Sequence, residues 1–492
     1  MINVCHGVRY QDRIKRGAGD YSRRVGIGIL FVFLFSVPAR SQTPCALEDL
    51  LIGRTSGTGV CRYVSATGSN SNDGLTRATP KQTIATTVNA SNPGDEIIVL
   101  AGLYNCANQP GVSPCLNGPN SGSKLINITA SGTAANPILV TCDSYLACKI
   151  DGSNNSTSTG FEIAGNYITV QNFEIEGFSD NGWENFNGGT YATLRRNWIH
   201  DEGRYCTTTT TGRDGAFVYY GHVIITQNLI SDIGRYAVGE NGCTSSLIQN
   251  DHGIYLDGEL GNQGDVTISD NIFYRCERGY SIQVYPGTWT NISILNNTFL
   301  WSDVTSGASG GQIVVDANVT NLLIENNISY QPNQYMIFSI GGTVTGTYAN
   351  NLVYGASNVT SSVPSGFTVA VTGTITNTDP KLVNVGSSVV DDSSAPIPDA
   401  HLTADSPAIK AGLTLATVPL DFAGTPRIPG AYDIGSYASR TRQESTDDDS
   451  EEQRSAMARS RQFLRARLTN SRRGSYVSEK STLINQFSQP QL

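Results

Sequence analysis

One short pattern recurs along the middle of the chain: two alternating apolar positions, a polar step, an asparagine, then apolar alternation again. It reads Ile168-Thr169-Val170-Gln171-Asn172-Phe173-Glu174-Ile175 in one copy and Ala192-Thr193-Leu194-Arg195-Arg196-Asn197-Trp198-Ile199 in the next. It returns around Asn228 and Asn271, and later copies centre on Asn297, Asn327 and Asn351. Successive asparagines lie 25, 31, 43, 26, 30 and 24 residues apart. Self-similarity at such a period marks a chain of stacked coils, with the longer spacings reporting loops inserted in particular coils. Alternation turns every second side chain inward, so the Ile, Leu and Val of one coil pack on those above and below. An asparagine at the bend bonds local backbone and tolerates left-handed geometry. Stacked, these amides form an internal ladder, because a buried amide left unsatisfied costs about 1–3 kcal/mol. A β-sandwich does not predict one asparagine per coil at this period. The expected fold is therefore all-β, a right-handed parallel β-helix.

The flanks divide the chain. Arg23-Arg24, the apolar run Val25–Phe35 and Val37-Pro38-Ala39 have the order of an export signal and are too short for a comfortable bilayer span. Residues 1–41 are thus read as a basic extension and signal peptide, leaving no membrane span in the mature chain. The β-helix domain is expected over 42–439, with an N-terminal cap at about 60–105 and coils at about 125–380. A closing segment at about 400–438 follows. In the cap, a strand at Tyr63-Val64-Ser65 precedes a short helix running to Ala90, with Ile84 and Val88 four apart on one face. Laid across the first coil, that helix would close its open apolar end. Beyond Ser439, Asp447–Glu452 and an Arg-rich stretch form a charged tail, 440–492, too poor in apolar residues to fold.

Nine cysteines follow Cys5, several as local couples: Cys45/Cys61, Cys106/Cys115 and Cys142/Cys148. Cys206/Cys243 would join neighbouring coils, and Cys276 is left over as a buried thiol. Such pairing belongs to oxidising compartments, so a secreted, extracellular or periplasmic protein is expected. No CxxC pair or suitably spaced histidine makes these cysteines a zinc site. A net charge of -9 argues against nucleic acid as a partner. A monomer is expected.

Both ends of the domain resemble a known family. Tyr63-Val64-Ser65, Asn72-Asp73-Gly74, Ala78-Thr79-Pro80 and Pro93-Gly94-Asp95 look like the N-terminal cap of pectate-lyase-like secreted β-helix proteins. Asp405-Ser406-Pro407-Ala408 through Asp433-Ile434-Gly435-Ser436-Tyr437 is similar to the end of many of them. The resemblance implies polysaccharide as the partner, and its members include lyases and epimerases. Several lyases on this fold use lysine as base with calcium neutralising the substrate carboxylate. Calcium is therefore a candidate cofactor, although no tight aspartate cluster marks its site. Asp214, Asp251, Asp257 and Glu259 are the candidate oxygen ligands.

Three coils read alike after the ladder position: His200–Tyr205, Ser231–Tyr236 and Arg275–Tyr280. In register, Arg204, Arg235 and Arg278 make a basic column beside Tyr205, Tyr236 and Tyr280. Coils lie ~5 Å apart, near the rise of a sugar residue, so this column suits an acidic polysaccharide. The competing reading pairs these arginines with Asp201, Glu202, Asp232 and Glu277 as ordinary ions. A second concentration is Asn250–Glu259, where Asp251, His252 and Tyr255 are candidates for catalysis and Asp257 for substrate contact. Aligning the alternation sets Tyr255 beside Gln283, and Asp257 beside Tyr285. Strict alternation turns His252 inward with Ile254 unless the coil bends at Gly253.

Elimination from a uronate needs a base beside the carboxylate and positive charge for the enolate-like intermediate. No lysine occurs between Lys149 and Lys381, so His252, Tyr255, Arg235 or Arg278 would have to serve. Hydrolysis needs two opposed carboxyls, and the paired-aspartate signature of β-helix polygalacturonases is missing. The expected function is a polysaccharide lyase acting by β-elimination on a uronate polymer. The alternatives are an epimerase or glycoside hydrolase, and a non-catalytic glycan-binding or adhesin-type β-helix. The segment 205–220 and the insertion between Asn228 and Asn271 would wall the groove.

Overall fold

The computed structural model describes residues 59–439, apart from 110–121, 248–249, 261, 277, 302–310, 333, 357–367, 369 and 389–396. The signal-peptide and tail assignments fall outside these residues, as do Cys45, Cys115 and Glu277. Three long sheets carry the chain, of eleven, ten and eight strands, and every strand pair within them is parallel. We call them sheets I, II and III in that order. One coil shows the circuit: Ile168–Gln171 in sheet I, Phe173–Glu176 in sheet II, Asn181–Asn185 in sheet III, then Thr193–Arg195 back in sheet I. The chain is a right-handed parallel β-helix, and among the described residues it is all-β but for one short helix, Ile84–Asn89. That helix buries Ile84, Thr87 and Val88, and Ile84 and Val88 belong to the same core that runs the length of the coils.

The asparagine ladder is present, with one correction. Asn197, Asn228, Asn271, Asn297, Asn327 and Asn351 are fully buried, and each Oδ1 from Asn228 onward accepts two N–H groups from the preceding asparagine. Asn172 is not a rung. Gln171 pairs with Arg195 and Glu174 with Trp198, so Phe173 occupies the ladder position and donates its N–H to Asn197 Oδ1 at 3.0 Å. Nor do the rungs adopt left-handed geometry. The residue before each does: Asn172, Arg196, Gln227, Asp270, Asn296, Asn326 and Asn350 all have φ between 49° and 68°. Two adjacent columns therefore favour asparagine for different reasons, one for its amide and one for its tolerance of positive φ.

The closing segment runs back along this second column and over sheet II. Arg427 pairs with Asp270 at 2.6 Å, Asn296 Nδ2 donates to the Asp433 carbonyl, and Thr298 bonds Ser436. Ala400, Phe422 and Tyr437 pack with Tyr274 and Leu300, covering outer apolar side chains of the later coils. Two disulfides lie wholly in the described residues, Cys142–Cys148 and Cys206–Cys243, the second joining loops of neighbouring coils as expected. Cys61 and Cys106 are also disulfide-bonded, and Cys276 is a buried thiol. Among the described residues no helix is long and apolar enough to cross a membrane.

Candidate functional site on the outer face of sheet III

Sheet III does not alternate strictly. Gly160, Gly182, Gly215 and Gly253 stack in one column facing the core, and a Cβ on Gly253 would sit 2.6 Å from the Ser281 carbonyl and 3.0 Å from the Phe273 ring. The next position but one after each glycine's predecessor is also inward, as with Ile254 and Ala216. Two successive inward residues mean that the strand slips by one at the glycine, which only a residue without Cβ allows this close to backbone. The positions before the glycines thereby join the outer side. Asn181 bonds Glu184 there, and His252 stacks against Tyr255.

The three arginines expected to line a column, Arg204, Arg235 and Arg278, are all buried. Arg235 is wholly buried, bidentate to Asp251 at 2.6 and 2.8 Å, and donates to the carbonyls of Thr209 and Thr211. Arg278 is buried against both oxygens of Glu240 at 2.7 Å. Arg204 reaches the Gly234 carbonyl and lies 4.7 Å from the centre of the Tyr236 ring. A nearby arginine outside that set, Arg213, pairs with Asp180 at 2.9 Å and lies over Tyr205. Arg213, Arg235 and Arg278 are thus ion-paired, with Asp180, Asp251 and Glu240, while Asp201 bonds His200 and Asp232 pairs with Arg275. These arginines fasten Thr209 and Thr211 of one loop and Glu240 of another to the body.

His252 is buried at the same corner. Its ring is parallel to Tyr280 at 5.4 Å, and its Nδ1 accepts the Tyr280 backbone N–H at 3.2 Å. Burial, with Arg235 nearby, holds its pKa down to about 3. A neutral ring whose Nδ1 accepts carries its proton on Nε2, so toward any ligand His252 is a donor and not a base. Asp214 accepts the His252 N–H and is pushed well above the carboxylate range by burial and by Asp251. Tyr255 lies in register with Gln283, as the alternation predicted, and burial raises its hydroxyl far above the phenol range. Asp257 is raised by burial and bonds the Glu259 N–H, while Tyr285 is exposed.

The concentration of chemistry lies two to four strands earlier in the same sheet. Lys124, Glu162 and Glu184 come from three consecutive strands, and Glu162 and Glu184 are register partners. Lys124 Nζ contacts Glu162 Oε2 at 3.2 Å and also bonds Glu184. Glu184 accepts from Asn181 at 2.7 Å, and burial raises its pKa, assisted by the charge of Glu162 and opposed by Lys124. Lys124 is raised too, because both carboxylates outweigh its desolvation. Beside this triad runs a half-buried aromatic row: Phe186, Tyr219, Phe217 and Tyr255, with successive ring centres 4.7, 4.3 and 4.9 Å apart. Phe217 occupies the register position after Glu184, and Tyr255 the one after that.

The sequence reading missed this triad. The separations of 38 and 22 residues between its members follow no repeat, because connections of variable length precede sheet III. Lys124 also falls at the edge of the expected coil body. The one usable signal is the glycine two residues before each glutamate, Gly160 and Gly182.

No protein-family model matches the chain, and no curated protein matches it. Among solved structures, pectate lyase Pel9A is similar at 15% identity with a TM-score of 0.48, over 79% of this chain and 98% of that one. An alginate lyase from Paenibacillus sp. str. FPU-7 is similar at 15% identity and TM-score 0.38, over 58% and 96%. GH136 lacto-N-biosidase from Eubacterium ramulus is similar at 13% identity and TM-score 0.33, over 68% and 69%.

Proposed function

We propose that this chain is a secreted carbohydrate-active β-helix that lays an extended polysaccharide along the outer face of sheet III and cleaves glycosidic bonds there. The observation that carries the reading is the Glu162–Lys124–Glu184 triad beside the aromatic row. Strands spaced ~4.8 Å apart offer one outward side chain per sugar residue, and aromatic rings suit the apolar faces of sugars. Disulfides within the coils support an oxidising compartment.

Two carboxyls that touch one ammonium are closer than the ~6.5–9.5 Å an inverting pair leaves for water. The arrangement therefore fits hydrolysis with retention. Glu184, raised in pKa, gives its proton to the departing glycosidic oxygen while Glu162 bonds the anomeric carbon. Water then breaks that ester, with Glu184 taking the proton back. Charge also bears on the substrate. With Glu162, Asp257 and Glu259 nearby and Lys124 already engaged, an uncharged sugar segment is favoured over a uronate at this point.

A second reading is β-elimination on a uronate polymer, and Lys124 favours it as the cation that would meet the substrate carboxylate. A metal such as calcium would then have to offset the acidic surroundings. Incubation of the purified protein with neutral and acidic polysaccharides, with and without calcium, separates the two. New reducing ends without ultraviolet absorbance mean hydrolysis, and absorbance from an unsaturated product means elimination. Binding with neither leaves a glycan-binding β-helix and removes the catalytic proposal.

A further inference from the structure

Sheet II carries a second cluster, on its outer face and before the part covered by the closing segment. Glu174 and Glu176 lie on one strand, and His200 on the next, in register with Glu176. One atom from each of the three lies within 4.8 Å of the others. His200 is over nine-tenths buried, and its Nε2 makes no hydrogen bond, although it points at Glu176 Oε2 from 3.4 Å and Glu174 Oε1 from 3.9 Å. Its other nitrogen, Nδ1, bonds Asp201 Oδ2 at 2.7 Å, and Trp198 stacks on the ring at 3.9 Å. The imidazole is thus fixed by a carboxylate on one side and aimed between two carboxylates on the other.

We propose that Glu174, Glu176 and His200 form a binding site for a divalent transition-metal cation, of the zinc or manganese type. A histidine held by a carboxylate through one nitrogen, with the other directed at a ligand set, is how proteins orient metal-binding imidazoles. One nitrogen and two carboxylate oxygens suit zinc or manganese, while calcium and magnesium prefer oxygen alone. Ligand distances of about 2.0–2.2 Å require only a small contraction of the cluster. Glu174 and Glu176 at present receive the Lys149 ammonium, from the adjacent strand. Lys149 is partly exposed and has solvent to swing into, so ammonium and metal compete for the same oxygens. The cysteine-containing cluster Cys142–Asp143–Cys148 offers no such site, because its sulfurs form a disulfide. The sheet II site is independent of the chemistry proposed for sheet III.

The test is calorimetric titration of the chelator-treated full chain with zinc chloride and with manganese chloride. One equivalent should bind to the wild type. Lys149→Met, which keeps all three ligands and removes the competitor, should bind more tightly. Asp201→Asn should weaken binding roughly 10–100-fold, and His200→Gln should abolish it, with circular dichroism confirming that each variant folds. Bound manganese should also broaden the His200 ring resonances. Failure of both wild type and Lys149→Met to take up one equivalent overturns the proposal and leaves an ion-pair network. Equal uptake by His200→Gln overturns it as well, by placing the ion elsewhere.

Discussion

Glu162 and Glu184 face each other across adjacent strands of sheet III, and Lys124 contacts both. If this pair cleaves glycosidic bonds, Glu184→Gln should lower kcat by about 10²–10⁴, the usual contribution of a general acid. Glu162→Gln should lose turnover altogether, since an amide is no nucleophile. Both variants should still bind substrate. Because Glu184 must hold its proton, activity should fall as pH rises through its raised pKa, above the ordinary carboxylate range. Rates of reducing-end release across pH check this, and an unchanged high-pH limb in Glu184→Gln would remove Glu184 from the role of acid.

His252 should make the protein acid-sensitive. Its folded pKa of about 3 lies below the unfolded value of about 6.5, so only the unfolded chain binds the proton between the two. The contribution to stability is fully present above about pH 6.5 and is lost as pH falls toward 3. Urea unfolding at about pH 7 and about pH 5 should show a smaller drop in His252→Gln than in the wild type. Equal drops in both would mean that His252 is not buried neutral.

Arg235 and Asp251 are both fully buried, and their pair also holds the carbonyls of Thr209 and Thr211. Removing one partner strands the other charge in the interior. Arg235→Ala and Asp251→Ala should each destabilise by about 3–5 kcal/mol. The double variant should cost less than the sum. Thermal and urea unfolding of the three proteins gives the coupling. Strict additivity would mean that the two groups do not act as a pair.

The coils were legible because they repeat. Apolar alternation and a buried amide are demanded by every coil, so they recur at a period that a reader can count. The same logic misplaced Asn172, since the left-handed position beside each rung also favours asparagine. The Arg204–Arg235–Arg278 set was legible as a set for the same reason. Its burial was not, because the loops that cover it, 205–212 and 236–247, belong to no repeat. The slip at Gly253 was foreseen as the condition for turning His252 out, but what the ring then meets depended on Tyr280 in the next coil. Lys124, Glu162 and Glu184 were invisible for want of a fixed spacing. Glu176 and His200 were within reach: they are 24 residues apart, and registering both strands on Phe173 and Asn197 makes them neighbours.

Asn271 sits mid-ladder, and its replacement tests what the amides contribute. Its Oδ1 accepts the N–H and Nδ2 of Asn228, while its own Nδ2 donates to Asn297 Oδ1 and to the Ile225 carbonyl. Asn271→Ala leaves the buried Asn228 N–H without its acceptor, at about 1–3 kcal/mol for each group so stranded. Asn271→Asp should be worse near neutral pH. A carboxylate keeps the acceptor but turns the donor edge into a second oxygen, facing Asn297 Oδ1 and the Ile225 carbonyl, in a fully buried site. Its pKa should rise, so acidification should restore part of the stability that Asn271→Asp loses and nothing in Asn271→Ala. Melting temperatures of both variants at two pH values decide the matter. If Asn271→Asp is the more stable at neutral pH, the ladder does not depend on its side-chain donors, and the recurrence of asparagine needs a different cause.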